Sequence, residues 1–280
     1  MRLEGNFHQM AYSVLLTVYK NDNPEYLRLS IESMLNQTIP SNDIVVVKDG
    51  PVTDEIQAVL DELSNKNPII QQIQLEKNVG LGLALNEGLK ACKNELVARM
   101  DADDISLPDR CEKQLAMFEA DPELDIVGCQ IIEFSGITDN IVGKREVPLD
   151  NESIRKYCRR RDPFNHPTVM YKKSKVLKYG PYGNYRRNQD SDLWVKLLSN
   201  GCKCANLPEA LLLFRFDENA YKKRKSWLNT KSLIEIRKNA WKTGFCSFGD
   251  FLFVACVQLG IFLLPEFIQK FIYRKFLRRT

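Results

Sequence analysis

Four short runs of apolar and β-branched residues recur through the first hundred positions. Each is followed by polar residues and then by a stretch with helical spacing. The runs fall at 12–18, 43–47, 69–75 and 95–100, and the helical patterns between them at 24–36, 53–63 and 81–92. A strand that returns through a helix of about a dozen residues to the next strand does so by a right-handed crossover, which lays the strands parallel. The pattern therefore restricts this part of the chain to an α/β fold around a mostly parallel sheet. It also restricts where chemistry can sit, because ligands of such sheets bind beyond the carboxyl ends of the strands.

Past residue 100 the alternation continues with a helical pattern at 108–119 and a strand pattern at 125–133, and then lapses. Residues 135–165 read as loop-rich, 169–171 as a short strand, 191–198 and 228–241 as helices, and 210–216 as an apolar run. The apolar stretch 251–264 is shorter than the roughly 20 residues a helix needs to cross a bilayer. After Glu266 come Lys270, Arg274, Lys275, Arg278 and Arg279 with no acid, interleaved with Phe267, Ile268, Phe271, Ile272, Phe276 and Leu277. That spacing describes a helix lying in the interface of an anionic membrane, with a pair of helices docked on the core as the simpler alternative. The expected organisation is a tail at 1–11, a first half at 12–135, a second half of the same domain at 136–243, and a membrane-associating extension at 244–280.

Charge separates the same halves. The formal net charge is only +4, but residues 1–150 carry 13 Lys/Arg against 26 Asp/Glu, and residues 151–280 carry 27 against 10. So basic a second half attracts an anionic partner, whether nucleic acid, anionic lipid or a phosphorylated small molecule. The eight cysteines include no Cys-x-x-Cys pair and no secretion signal opens the chain, so they are expected to be reduced core thiols rather than disulfides or zinc ligands.

The strand ends hold the candidate chemistry. Thr17-Val18-Tyr19 closes the first run, Lys48-Asp49-Gly50-Pro51 the second, Asn78-Val79-Gly80-Leu81-Gly82 follows the third, and Asp101-Ala102-Asp103-Asp104 the fourth. Taken singly, each is also an ordinary turn or helix cap. Together, on one sheet edge, they imply more. Clustered carboxylates repel and suit a hard cation such as Mg²⁺ or Mn²⁺, which in turn attracts a diphosphate. Glycines at a helix start allow close backbone approach to that anion.

Residues 13–19, 44–50, 78–88, 98–104 and Gln189-Asp190-Ser191-Asp192-Leu193-Trp194 resemble the motifs of inverting family-two glycosyltransferases with the GT-A fold. The resemblance extends over about residues 12–216, and within the family it is to bacterial transferases of O-antigen and exopolysaccharide synthesis. It implies a Rossmann-like α/β sheet and a UDP-sugar donor. Thr17, Tyr19 and Asp49 would hold the base and ribose, assisted by Asn78 and Gly80. Asp101 and Asp103 would place the ribose and a Mn²⁺ or Mg²⁺ ion on the diphosphate, with Arg99 and Arg215 close to it. Asp190 falls where the family carries its base, although Gln189 stands where many relatives have Glu, which leaves Asp192 as the other candidate. His166, Asp192 and Trp194 would line the acceptor side.

The implied reaction is a single displacement that inverts the anomeric carbon, moving a hexose (galactose or glucose) onto a polyprenyl-diphosphate-linked sugar, with a β-1,3 linkage. The implied location is the cytoplasmic face of the bacterial inner membrane, held peripherally. The basic groups 159–161, 172–173, 186–187 and 222–225 would attract the lipid diphosphate or the leaving nucleotide. No nucleic-acid partner is expected. Two other readings are a metal-dependent nucleotidyltransferase, which would want a glycine-rich basic loop after the first strand, and a non-catalytic basic binding module.

Overall fold

The computed structural model describes residues 10–216 and 226–264. Most of the 1–11 tail, the basic loop 222–225 and the basic–aromatic segment after 264 lie outside the described residues. The expected alternation is present: β1 (Tyr12–Val18), α1 (Pro24–Leu35), β2 (Asp43–Lys48), α2 (Asp54–Lys66), β3 (Ile70–Gln74), α3 (Leu81–Ala91) and β4 (Leu96–Arg99). The helix starts follow local chemistry. Asn23 accepts from the Glu25 and Tyr26 amides ahead of Pro24, and Thr53 accepts from the Ile56 amide.

The second half is more structured than its composition suggests. After β5 (Ile105–Ser106), α4 (Arg110–Ala120) and β6 (Leu124–Phe134), the expected loop region contains β7 (Ile141–Arg145) and α5 (Asn151–Cys158). Then come a 3₁₀ turn (His166–Thr168), β8 (Met170–Lys172), α6 (Lys173–Tyr179), α7 (Gln189–Ser199) and β9 (Lys203–Arg215). Helices α8 (Trp227–Lys242) and α9 (Phe248–Leu263) complete the described chain. The missed elements are short and polar, and tertiary pairing rather than periodicity makes them regular. Strand β7 exists as a partner of β6, and α5 is capped by Asp150 and buries only Ile154 and Cys158.

One sheet runs in the order β3-β2-β1-β4-β8-β6-β9-β5, with β7 attached to β6. Strands β3, β2, β1 and β4 are parallel to one another, as are β6 and β9; β8 runs antiparallel between β4 and β6, β7 runs antiparallel to β6 and β5 antiparallel to β9. Both faces are covered, which explains why the central strands read as continuous apolar runs instead of alternating. On one face Val14, Leu16 and Val46 pack with Leu27 and Ile31 of α1, Leu60 of α2 and Phe118 of α4. On the other, Leu15, Val45 and Val47 pack with Leu85 and Leu89 of α3 and with Leu193 and Leu197 of α7. Each such side chain contributes about 1.5–3 kcal/mol on full burial. Gly88 lets α3 close on the sheet, since a Cβ there would lie 2.4 Å from Leu15 Cδ1.

All eight cysteines are unpaired, and only Cys256 is exposed. Helices α8 and α9 pack as antiparallel neighbours, with Trp227 against Phe262 and Trp241 against Phe248. The exposed face of α9 is apolar, with Phe248, Leu252, Phe253 and Leu263 about half exposed or more, joined by Trp227 and Leu228 at the start of α8, whereas the rest of α8 exposes mainly Lys231, Glu235, Lys238 and Lys242. Among the described residues no helix is long and apolar enough to cross a membrane.

Candidate active site

The strand-end residues gather on one edge because of register. Val18 pairs with Lys48, and Leu15 with Arg99, so Thr17, Tyr19, Asp49 and Asp101 leave adjacent parallel strands in the same direction. Thr17 is half-buried and Tyr19 exposed there. The acidic turn after β4 is fixed from several sides. Met100 N donates to Leu15 O (3.0 Å), Ser30 Oγ of α1 donates to the Asp101 carbonyl (2.6 Å), and Arg215 N of β9 donates to Asp104 Oδ1 (2.8 Å).

Carboxylate oxygens of Asp101, Asp103 and Asp104 lie within 4.8 Å of one another. Asp104 is fully buried, and its Oδ2 has no hydrogen-bond partner. Burial, with the charges of Asp101 and Asp103, holds its carboxyl well above the usual carboxylate range. Asp103 reaches the surface of the turn, yet desolvation by the surrounding walls and the charge of Asp101 push it up to about 6. Such a cluster is short of positive charge. Its all-oxygen donor set and orphaned buried oxygen fit a hard divalent cation. Arg99 supplies part of the missing charge: it is buried and its Nη2 pairs with Asp101 Oδ1.

Asp49 has an immediate structural task. Its carboxylate accepts from Val79 N (2.7 Å), Gly80 N (3.0 Å) and Asn78 Nδ2 (2.9 Å), and thus moulds the loop that leads into α3. Gly50 and Gly80 both have positive φ, and a Cβ on Gly50 would lie 2.6 Å from Asn78 N. Asn78 and Gly80 are in turn closed over by the second half: Arg186 Nη1 donates to Asn78 Oδ1 (2.9 Å), and a Cβ on Gly80 would meet the same nitrogen at 3.0 Å. Further along, Asn86 exchanges two 2.9 Å hydrogen bonds with the backbone of Tyr182. The start of α3 is thereby joined to the segment leading into α7, and Arg186 is a basic residue that the structure puts at the Asn78–Gly80 loop.

Arg215 is tied to the acidic turn itself. Its Nε donates to the Asp103 carbonyl (3.0 Å) and its Nη1 to the Gly136 carbonyl (2.9 Å), and its guanidinium lies over the Tyr26 ring (3.7 Å) and the Phe134 ring (4.5 Å). These contacts clamp the acidic turn from the β9 side. Lys172 and Lys173 lie elsewhere. Lys172 pairs with Leu96, at the amino end of β4, opposite the acidic turn, and donates to Pro122 O, while Lys173 donates to Cys92 O.

On the acceptor side, Trp194 has no exposed surface and packs between Phe164 (4.9 Å) and His166 (5.9 Å), so it is core, not a contact surface. His166 is almost enclosed, with Nε2 2.9 Å from the Tyr182 hydroxyl. Burial, reinforced by the Arg99 charge, holds its imidazole well below the ordinary value, hence neutral. A neutral, enclosed ring shapes the wall of the site and offers little to an acceptor. Asp192 is likewise buried and ion-paired with Lys196 (2.7 Å).

Asp190 is the exception. At the first turn of α7 it is partly accessible, and burial together with the charge of Asp162 pushes its carboxyl up to about 7. Arg99 stands between the two acidic centres, since its charge acts on Asp190 while its guanidinium pairs with Asp101. Asp162 was not apparent from the chain, as an isolated acid in a basic stretch carries no motif.

A parallel donor half, an acidic turn after β4 and a separate carboxyl at the start of a later helix form one recognisable arrangement. The family model for glycosyl transferase family 2 matches residues 13–180. The chain belongs to that family. Over nearly its whole length (96%) it is 34% identical to the Escherichia coli UDP-Gal:alpha-D-GlcNAc-diphosphoundecaprenol beta-1,3-galactosyltransferase, covering 97% of that protein. It is 38% identical to the amylovoran biosynthesis glycosyltransferase AmsE of Erwinia amylovora, covering 94% of this chain and 98% of that one. Among solved structures, S. aureus TarS 1–349 in complex with UDP-GlcNAc superposes with TM-score 0.67 at 18% identity, covering 95% of this chain and 73% of that one. The Pyrobaculum calidifontis mannosyltransferase PcManGT, in complex with GDP-Man and Mn²⁺, superposes with TM-score 0.64 at 14% identity, covering 96% and 80%. The family-2 fold accounts for the sheet, and membership sets aside the nucleotidyltransferase and binding-module readings.

Proposed function

We propose that this family-2 enzyme transfers a hexose, galactose or glucose, from a UDP-sugar to a lipid-diphosphate-linked sugar, inverting the anomeric carbon and forming a β-1,3 linkage. The observation that carries this reading is the division of acidic groups into a clustered triad after β4 and a separate carboxyl, Asp190, at the first turn of α7, pushed up to about 7 by burial and the Asp162 charge. A sugar hydroxyl is a weak nucleophile and needs a base within reach. Asp190 serves as that base and Asp192, already neutralised by Lys196, does not. As the acceptor oxygen bonds to the anomeric carbon, its proton passes to Asp190 and the bond from that carbon to the diphosphate breaks, releasing UDP.

Asp101, Asp103 and Asp104 would hold a Mn²⁺ or Mg²⁺ ion, which when bound offsets the charge that develops on the leaving diphosphate. Thr17, Tyr19 and the loop moulded by Asp49 would receive the nucleotide, and Arg186 would cover it. The similarity to the E. coli transferase named above supports the donor, the acceptor class and the linkage. The test is a panel of UDP-sugars offered with a synthetic N-acetylglucosaminyl-diphospho-lipid, with linkage analysis of the product. Transfer from UDP-galactose or UDP-glucose to give a β-1,3 product is expected, whereas turnover of an N-acetylhexosamine donor alone would overturn the hexose assignment.

A lipid-linked acceptor requires access to a membrane, and the outer face of the α8–α9 hairpin supports that. Trp227, Leu228, Phe248, Leu252, Phe253 and Leu263 are large apolar side chains about half exposed or more, and exposed apolar side chains gathered on one helix pair are a feature of membrane or protein contact surfaces. The chain continues from it into the basic residues 270–279, each cation contributing about 1 kcal/mol at an anionic surface. The reading is peripheral binding at the cytoplasmic face of the inner membrane. The protein is expected to float with phosphatidylglycerol vesicles and to dissociate from them as salt rises. Equal binding to neutral phosphatidylcholine vesicles would remove the electrostatic part of the reading.

A further inference from the structure

The turn that carries Asp190 is held by the C-terminal hairpin, through contacts that a helix start does not need for itself. Asn188 precedes α7 with φ of 60°, the sole non-glycine residue with positive φ among the described residues. Asparagine in that position ordinarily turns its side chain back to cap the helix. Here it makes no cap bond. Its Nδ2 instead reaches α8, donating to Ser232 Oγ at 2.6 Å and to Asn229 Oδ1 at 3.2 Å. Asparagine is the non-glycine residue that most readily takes a left-handed backbone, and here its side chain ties that turn to α8.

A second connection lies on the other side of the same turn. Ser191 Oγ donates to Asp162 Oδ1 at 2.6 Å, and Arg237 of α8 places Nη2 3.5 Å from that same oxygen. Arg237 is buried, and its Nε and Nη1 have no hydrogen-bond partner, so Asp162 is the carboxylate that compensates this buried cation. The segment before Asp162 is tied to α9 as well: Arg160 Nε pairs with Asp250 at 2.6 Å, and its guanidinium lies 4.8 Å from the Phe253 ring centroid. The hairpin therefore grips both Asn188, two residues before Asp190, and Asp162, which is hydrogen-bonded to the adjacent Ser191 and whose charge acts on Asp190.

We propose that Asp162, Asn188, Ser232 and Arg237 are positioning residues for Asp190, so that the hairpin bearing the apolar surface also completes the catalytic half of the site. This rests on the assignment of Asp190 as the base. The charged and titratable groups acting on Asp190 are Asp162 beside it, Arg99 on β4 and the Tyr182 hydroxyl, with Arg237 of α8 acting through Asp162. Removing the Asp162 charge lowers the pKa of Asp190, and the acid limb of the pH profile must then move to lower pH.

The experiment compares the full-length enzyme with Asp162→Asn, Asn188→Gly, Ser232→Ala and Ser232→Thr. It measures kcat, KM for the UDP-sugar, the pH dependence of kcat/KM and the thermal midpoint. Asp162→Asn should shift the acid limb downward by half a pH unit or more. Asn188→Gly tolerates the backbone but loses the tie to α8, so kcat should fall about tenfold with donor KM within twofold. Ser232→Ala should behave likewise, and Ser232→Thr, which keeps the hydroxyl, should restore kcat. An unmoved acid limb in Asp162→Asn, or wild-type kcat in Asn188→Gly, overturns the proposal. So does a loss of kcat that tracks the thermal midpoint alone. If Asp190→Asn retains turnover, the base assignment fails first. If that variant is inactive while Asp162→Asn and Asn188→Gly match wild type, only the positioning role fails.

Discussion

Asp190→Asn is expected to lower kcat by about 10²–10⁴-fold, the usual contribution of a positioned general base. The substitution preserves shape and removes only the ability to accept a proton. Asp190 sits in the first turn of α7 and is not one of the triad after β4, so UDP binding in the presence of Mn²⁺ should stay within about twofold of wild type, a shift below about 0.5 kcal/mol. The pH profile gives a sharper check. Burial and the Asp162 charge raise this carboxyl to about 7, so it is largely protonated, and idle as a base, below neutrality. Wild-type kcat/KM should therefore climb as pH rises through about 7. The residual activity of the Asn variant should lack that limb. Near-normal turnover would move the base elsewhere, and the ion pair with Lys196 makes Asp192 a poor substitute.

Asp103→Asn acts on the other substrate. Loss of one charged oxygen from the triad should abolish the Mn²⁺-dependent part of thermal stabilisation by UDP and lower kcat/KM by about 10²–10³-fold, the scale set by removing one group that stabilises developing charge. The sign without ligands is opposite. Three carboxylates within 4.8 Å repel, and Asp103 is held partly protonated by desolvation and by Asp101. Neutralising it relieves that repulsion, so the metal-free variant should unfold at the wild-type temperature or slightly above. Retained stabilisation by UDP and Mn²⁺ would exclude Asp103 as a ligand. A fall in metal-free stability would instead make its carboxylate a structural group.

Several of the candidate ligands have structural tasks in the folded protein. Asp49, Arg215, His166 and Trp194 were each expected to touch a substrate. Asp49 spends three hydrogen bonds on the loop at Asn78–Gly80, Arg215 is clamped between Tyr26 and Phe134, and His166 and Trp194 are enclosed. A reacting group has to be held, and most of what surrounds it does the holding. Arg99 is the residue on which both halves converge, a buried cation paired with Asp101 and acting on Asp190.

What the chain determined by itself was local and periodic. Apolar runs in β1, β2 and β4, capped starts of α1 and α2, and carboxylates after β4 follow from neighbours within a dozen residues, so the α/β class and the acidic sheet edge were readable directly. The pairing of β7 with β6, the antiparallel insertion of β8, the clamp of Arg215 on the acidic turn and the grip of α8 on Asn188 join residues far apart in sequence. No periodicity encodes such contacts, because their energy appears only when distant surfaces close on one another and exclude water. For that reason the acidic turn was visible in the sequence, while the environment that raises Asp190 to about 7 came from the tertiary structure alone.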